Sequence, residues 1–308
     1  MKITIPGRLQ FLRNMWAAQK STDASLEGKT CVITGATSGV GLAAARRIAR
    51  GGADIVVIAR NSEKAEELQS LIKSESGVSI DTVIADLANL DDVRDAAGAI
   101  IERCPEVHLL INSAGVFSTR RVVTPGGMEL AFCVNHLAAF LLTRLLLDRV
   151  IASAPARIIQ VNSQGHRFGG LRINDVSWER RMYNGYLGYG ASKTAQLLTV
   201  WEFASILKGT QVTINAMHPG GVKSNIGSNN GPLYRWWSRH VISHFLKDAK
   251  ISGEAIYFLA AAPELSNISG RYFNRTVEEQ PAPHALDQKA GKAVWAISEQ
   301  LVGLAACR

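Results

Sequence analysis

Cysteine is scarce. Cys31, Cys104, Cys133 and Cys307 are the only four in 308 residues, and they stand far apart with no CxxC pair and no histidine at ligand spacing. This excludes a zinc ribbon and a disulfide framework; the four read as reduced thiols, mostly core, and no metal site is expected. Long apolar runs are missing too. The longest candidate, residues 128–150, is interrupted by Glu129, Asn135, His136, Arg144 and Asp148, short of the roughly eighteen uninterrupted residues that mark a spanning helix. Residues 1–20 carry Lys2, Arg8, Arg13 and Lys20 with apolar positions too broken for a secretory core, so a cytoplasmic protein is expected. The net charge is +8, yet no run of five basic residues occurs, and no nucleic-acid partner is expected. No repeat, low-complexity block or Pro/Gly-rich linker divides the chain.

What is present is an ordinary globular composition, 47% hydrophobic and 19% charged, patterned as an alternation. Short aliphatic runs at 31–34, 55–59, 78–85, 107–111, 157–161 and 212–217 alternate with helical stretches at 40–50, 62–76, 90–103, 127–152 and 190–207. Successive βαβ units of this kind predict an α/β fold, a doubly wound parallel sheet of Rossmann type with helices on both faces, as a single domain over about residues 28–275. Three regions depart from the alternation. An arm, 1–27, has Leu9, Leu12 and Trp16 at helical spacing beside Phe11 and Met15. A lobe at about 223–250, rich in aromatic and basic residues, follows the sixth strand. A tail, 276–308, aligns Leu286, Ala290, Ala293, Ile297 and Leu301 on one helical face packed back on the domain.

The run CVITGATSGVG puts Gly35, Gly39 and Gly41 between the first strand and first helix, with hydroxyls at Thr34, Thr37 and Ser38. Glycines there allow close backbone approach, and a helix N-terminus offers N–H groups to a pyrophosphate. The spacing is G-x-x-x-G-x-G, neither the strict dinucleotide fingerprint nor a P-loop. After the second strand stands Arg60. A carboxylate at this place selects the ribose hydroxyl of NAD and a cation accommodates the phosphate of NADP(H), so Arg60 points to NADP(H) unless it is simply a solvated arginine.

In chain order there follow Asn112-Ser-Ala114-Gly115, Asn135, Ser163, Tyr189-x-x-x-Lys193 and Pro219-Gly220 with Val222 and Ser224. This ordered set resembles the short-chain dehydrogenase/reductase family, whose members bind NAD(H) or NADP(H). The resemblance implies cofactor contacts from Gly35, Thr37, Ser38, Gly39, Val40, Gly41, Arg60, Asn61, Asp86, Leu87, Asn112, Ala114, Gly115, Tyr189, Lys193, Pro219, Gly220, Val222 and Ser224. Asp86 equally fits a turn residue before the next helix. The chain departs from the family at Ser113, where a second asparagine is common.

Proton transfer is the sharper question, because YNGYLGYGASK offers Tyr183, Tyr186 and Tyr189 before one lysine. A phenol needs a nearby cation to ionise near neutrality, and Lys193 lies one helical turn from Tyr189 but about 10 Å along the axis from Tyr186. Gly185 and Gly188 argue that the helix starts near Tyr189 and leaves the other two on a loop. By resemblance, Tyr189 is the general acid/base and Lys193 lowers its pKa and binds ribose. Ser163 holds the substrate oxygen and Asn135 a relay water.

The 26 residues from Ser163 to Tyr189, VNHLAAFLLTRLLL at 134–147, HPGGVKSNIG at 218–227 and the C-terminal SGRYFN resemble the retinol-dehydrogenase-like branch. That branch implies a lipophilic alcohol or carbonyl as substrate. Phe11, Trp16, Leu233, Tyr234, Trp236, Trp237 and Phe245 either wall an apolar entrance or serve as core and dimer contacts. Arm and lobe also suit peripheral membrane contact, and the apolar helices around 138–147 and 197–207 are similar to those through which many relatives form homodimers. Two other readings of the same fold stand beside the leading one: a non-enzymatic NADP-binding scaffold, and a C=C reductase or epimerase.

Overall fold

In the computed structural model, residues 14, 17–222, 226–227, 230–231 and 248–304 are described. The strands are β1 (Thr30–Thr34), β2 (Asp54–Ala59), β3 (Ile80–Ile84), β4 (Leu109–Asn112), β5 (Ala156–Val161), β6 (Val212–His218), β7 (Arg271–Asn274) and β8 (Val277–Glu278). They form one sheet in the order β3-β2-β1-β4-β5-β6-β7-β8, parallel except for β8. The helices are α1 (Gly39–Arg50), α2 (Ser62–Ser76), α3 (Leu90–Arg103), α4 (Leu130–Ala152), α5 (Gly185–Ile206), α6 (Lys250–Ala261) and α7 (Gln288–Leu301). The doubly wound order reverses direction between β1 and β4, and this reversal opens a crevice at the carboxyl ends of the strands.

Successive strand residues face opposite layers, which is why the strands read as unbroken apolar runs. Val32 packs in the layer built with α3, α4 and α5. Its neighbour Ile33 packs in the layer built with α1, α2 and α6. Cys31, Cys104 and Cys133 are free and buried, and burial pushes the Cys133 thiol up to about 12. The helix α4 is long and apolar enough by composition to cross a membrane, but 72% of its apolar 18-residue stretch is buried inside the protein, where it serves as a core helix.

Three expectations are revised. First, α5 starts at Gly185, not near Tyr189. Asn184 caps it, its side-chain oxygen accepting from the backbone N–H of Tyr186 (3.0 Å) and Leu187 (3.2 Å). The glycines serve packing: a Cβ on Gly185 would overlap the Ser118 carbonyl, and one on Gly188 would lie 2.7 Å from the Tyr183 hydroxyl. Close approach thus overrides low helix propensity.

Second, the tail is not only helical, because β8 extends the sheet into it. Third, the face that α7 buries is Gly291, Val294, Ser298 and Glu299, while Leu286 precedes the helix and is exposed. The polar pair is satisfied rather than solvated: Ser298 Oγ meets His136 Nε2 at 2.7 Å, and Glu299 pairs with Arg144 at 2.6 Å. The same helix α7 packs on α4 and α5. The Trp295 ring of α7 stands edge-on to Phe140 of α4 and Phe203 of α5, with centroids 4.9 and 4.7 Å apart.

The amphipathic pattern at Leu9, Leu12 and Trp16, with Phe11, lies outside the described residues, as do Ser224, Leu233, Tyr234, Trp236, Trp237 and Phe245.

Candidate active site

The glycine turn leaves β1 with Gly35 at φ +70° and enters α1 with Gly39 at φ +55°. A Cβ on Gly35 would sit 2.7 Å from Ala114 Cα, and one on Gly41 would overlap the Gly35 carbonyl. The turn is therefore folded tightly against the Asn112–Gly115 segment. Thr34 fastens the two together, its hydroxyl accepting from the N–H of Ser113 (3.1 Å) and Ala114 (3.0 Å). Ser38 holds the N-cap position of α1 in extended conformation with no side-chain cap bond. The first turn of α1, with Thr37, Ser38 and Val40 at its entrance, therefore has no side-chain cap on its amides, which suits a pyrophosphate.

Around this cradle the other cofactor candidates fall as follows. Arg60 is exposed at the end of β2. Asn61 caps α2, accepting from Lys64 N–H at 2.8 Å, and so is occupied by helix structure. Asp86 makes the turn before α3, its carboxylate accepting from Ala88 N–H at 3.0 Å, and Leu87 packs onto the core beside it. Asn112 donates to the Thr143 hydroxyl at 3.0 Å while its carbonyl oxygen, buried, has no partner. Pro219 receives the Ser252 hydroxyl on its carbonyl at 2.7 Å, Gly220 takes φ +97°, and Val222 is buried.

The four chemistry-bearing residues come from α4, the turn after β5 and the start of α5. Asn135 lies in a π turn, Cys133–Leu137, that interrupts α4, a device that re-aims a side chain. Its amide is engaged at both ends: the oxygen accepts from Val116 N–H (2.7 Å), and the nitrogen donates to Val116 O (3.0 Å) and Ser192 Oγ (2.9 Å). A Cβ on Gly115 would lie 3.4 Å from Asn135 Oδ1 and 3.9 Å from Lys193 Nζ, so the segment after β4, the π turn and the lysine meet at one point.

Ser163 caps its own short 3-10 turn, Gln164–Phe168, accepting from Gly165 N–H at 3.0 Å, and its hydroxyl lies beside the Tyr189 ring, a Cβ on Gly165 reaching both (3.3 and 2.5 Å). Burial pushes the Tyr189 phenol up to about 12, with Ser163 pulling the other way. Lys193 Nζ donates to Val161 O (2.8 Å) and Gln196 Oε1 (3.2 Å), and burial pulls its amine down to about 7. The expected lowering of the phenol by a lysine charge is not found: burial raises the phenol, Ser163 alone opposes it, and burial disfavours the charged forms of both side chains.

Of the three tyrosines, only Tyr189 joins this group. Tyr186 shares its helix face but is 54% exposed. Tyr183 donates to Glu129 at 3.0 Å, and Glu129 in turn caps α4 through Ala131 and Phe132 N–H. The sequence reading missed Phe117, whose ring stands edge-on to Tyr189 at 5.9 Å and tilted against Tyr186 at 5.4 Å. It also missed Asn162 and Gln196. Gln196 Oε1 accepts from both Lys193 and Asn162 (2.9 Å). Gln196, three residues after Lys193 on one helix, was a visible signal; Phe117 gave none, since its contacts are long-range.

A sequence model of the short chain dehydrogenase family matches residues 29–232. Retinol dehydrogenase 13 of Homo sapiens is 38% identical over 288 residues, which cover 92% of this chain and 87% of that protein. An uncharacterised protein from Mycobacterium paratuberculosis superposes with a TM-score of 0.72 at 27% identity, covering 91% of this chain and 96% of its own. A protein assigned as an NAD(P)-dependent gluconate 5-dehydrogenase from Beutenbergia cavernae, with bound NADP, gives 0.66 at 26% identity over 82% and 96%. A glycine-turn cradle, a neighbouring serine and tyrosine and a lysine one turn on, set in this sheet order, agree with those likenesses: the chain belongs to the short-chain dehydrogenase family, in its retinol-dehydrogenase-like branch.

Proposed function

We propose that the protein is an NADP(H)-dependent oxidoreductase acting on a carbonyl or alcohol of a lipophilic small molecule. The observation that carries this reading is the placement of the proton-transfer group at the base of an aromatic run. From Tyr189 the rings of Phe117, Tyr186 and Phe168 follow one another at 5.9, 5.4 and 5.7 Å, and the outer two are half exposed. An apolar substrate lying along these rings has its oxygen brought to Ser163 and Tyr189.

When bound, the nicotinamide cofactor supplies or accepts the hydride. The protein's own residues do the rest. The amides of the Gly35–Gly41 turn would hold the pyrophosphate and Lys193 the ribose. Ser163 donates to the substrate oxygen, stabilising the alkoxide charge that develops there, and Tyr189 delivers the proton in reduction or removes it in oxidation. Asn135, with its amide committed to Val116 and Ser192, serves by locking the segment after β4 onto α5. A scaffold has no need of these four groups gathered in one crevice, which disfavours the non-enzymatic reading.

Two experiments bear on this. Straight-chain aldehydes assayed by NADPH absorbance are expected to show kcat/KM rising about fourfold per buried methylene, from about 0.8 kcal/mol each. A flat series would remove the lipophilic class. Arg60→Asp is expected to shift the NADPH/NADH preference toward NADH by about tenfold or more, as the carboxylate repels the 2′-phosphate. An unchanged ratio would mean that another residue reads the phosphate.

A further inference from the structure

Behind Ser163 the C-terminal segment after β8 passes under the 3-10 turn Gln164–Phe168 and holds it at several points. Glu279 is the centre of these contacts. Its side chain is wholly buried, and both carboxylate oxygens are doubly occupied. Oε1 accepts from Gln164 Nε2 (2.6 Å) and an Arg167 guanidinium nitrogen (2.9 Å), both on the Ser163 turn. Oε2 accepts from Asn274 Nδ2 of β7 (3.0 Å) and Asn14 Nδ2 of the arm (3.2 Å).

Further bonds run from the same segment. Arg167 donates to Gln280 O (2.9 Å), Ala282 N–H donates to His166 Nε2 (3.1 Å), and His284 Nε2 meets His166 O (2.9 Å). His166 Nδ1 lies 2.7 Å from Ser163 O. One neutral tautomer, with the proton on Nδ1, satisfies both ring contacts, and burial pulls His166 down to about 4, keeping it neutral.

We propose that Glu279 is a positioning residue for Ser163: it fixes the turn that aims the serine hydroxyl at Tyr189, and it acts through Gln164 and Arg167 without touching substrate. The role rests on the oxidoreductase reading above. The turn has little slack on its other side, since a Cβ on Gly165 would lie 2.5 Å from the Tyr189 ring, so a turn released from Glu279 moves relative to the phenol. The carboxylate also has no neutral substitute here. A glutamine places an NH₂ against two donors on one side or the other, whichever way it is turned.

The test separates the two oxygens. Glu279→Gln and Gln164→Ala are expected to lower kcat about 10- to 100-fold, the range for a misplaced catalytic group, with the NADPH Kd unchanged within about twofold because the glycine turn is untouched. Their effects should be non-additive in the double variant. Asn274→Ala, which removes a donor from Oε2 only, is expected to lower the Tm as a buried hydrogen-bond loss does but to hold kcat within about threefold of wild type. Equal kcat losses in Asn274→Ala and Gln164→Ala would reduce Glu279 to a structural role and overturn the proposal. So would wild-type kcat in Gln164→Ala, which decides the matter even if Glu279→Gln does not fold. Absence of any turnover in the wild-type protein would instead overturn the oxidoreductase reading, and this role with it.

Discussion

Tyr189→Phe is expected to lower turnover by about 10³-fold or more, about 4 kcal/mol in the barrier, while leaving NADPH affinity within a factor of about two. The substitution removes one hydroxyl and keeps the ring that packs edge-on to Phe117, so the apolar wall survives. What is lost is the proton donor and the partner of Ser163. The same loss in Tyr186→Phe, with Tyr189→Phe unaffected, would transfer the role; the exposure of Tyr186 argues against that result. Steady-state rates with isothermal titration of NADPH decide it.

The pH dependence has a definite sign. In oxidation the phenolate is the base, and burial holds the phenol up to about 12, so the ionised fraction and the oxidation rate climb through the alkaline range. In reduction the neutral phenol is the donor, and burial favours it across the neutral range. A flat oxidation profile between about pH 6 and 10 would argue against a tyrosine base.

Gly41→Ala is the second large effect. Its Cβ would overlap the Gly35 carbonyl and approach Ala36 Cα at 3.1 Å. Both are backbone atoms of the turn, which cannot rotate away as a side chain does. The turn must shift, at a cost typical of overpacking, about 1–3 kcal/mol, and its amides leave the positions that suit a pyrophosphate. The expected outcome is a fold that survives with a lowered Tm and an NADPH Kd weakened about 100-fold or more. Gly98→Ala is the internal control, because a Cβ there meets nothing within 4 Å in the middle of α3, and its NADPH Kd should not change. Nicotinamide-cofactor binding undiminished in Gly41→Ala would mean that the glycine turn is not the phosphate cradle.

The sequence by itself determined the sheet and the order of the site. Unbroken aliphatic runs separated by helical stretches are what a parallel sheet buried on both faces requires, so β1 to β6 and the helices between them were legible to within a few residues. The glycine turn, Asn112–Gly115 and Ser163 were legible because they sit at strand ends, where local rules apply, and Tyr189 with Lys193 because of their one-turn spacing. The tertiary structure alone decided what depends on contacts between distant segments. It made Gly185 and Gly188 helical, because Ser118 and Tyr183 approach too closely for any side chain there. It raised the Tyr189 phenol by burying it, where spacing to Lys193 had suggested the opposite. It turned α7 so that Ser298 and Glu299 face inward, since His136 and Arg144 wait there as partners. It also brought Glu279, 116 positions after Ser163, beneath the serine's turn. Local spacing cannot report such a contact, because hydrogen-bond partners and desolvation are set by whichever segments the fold brings together.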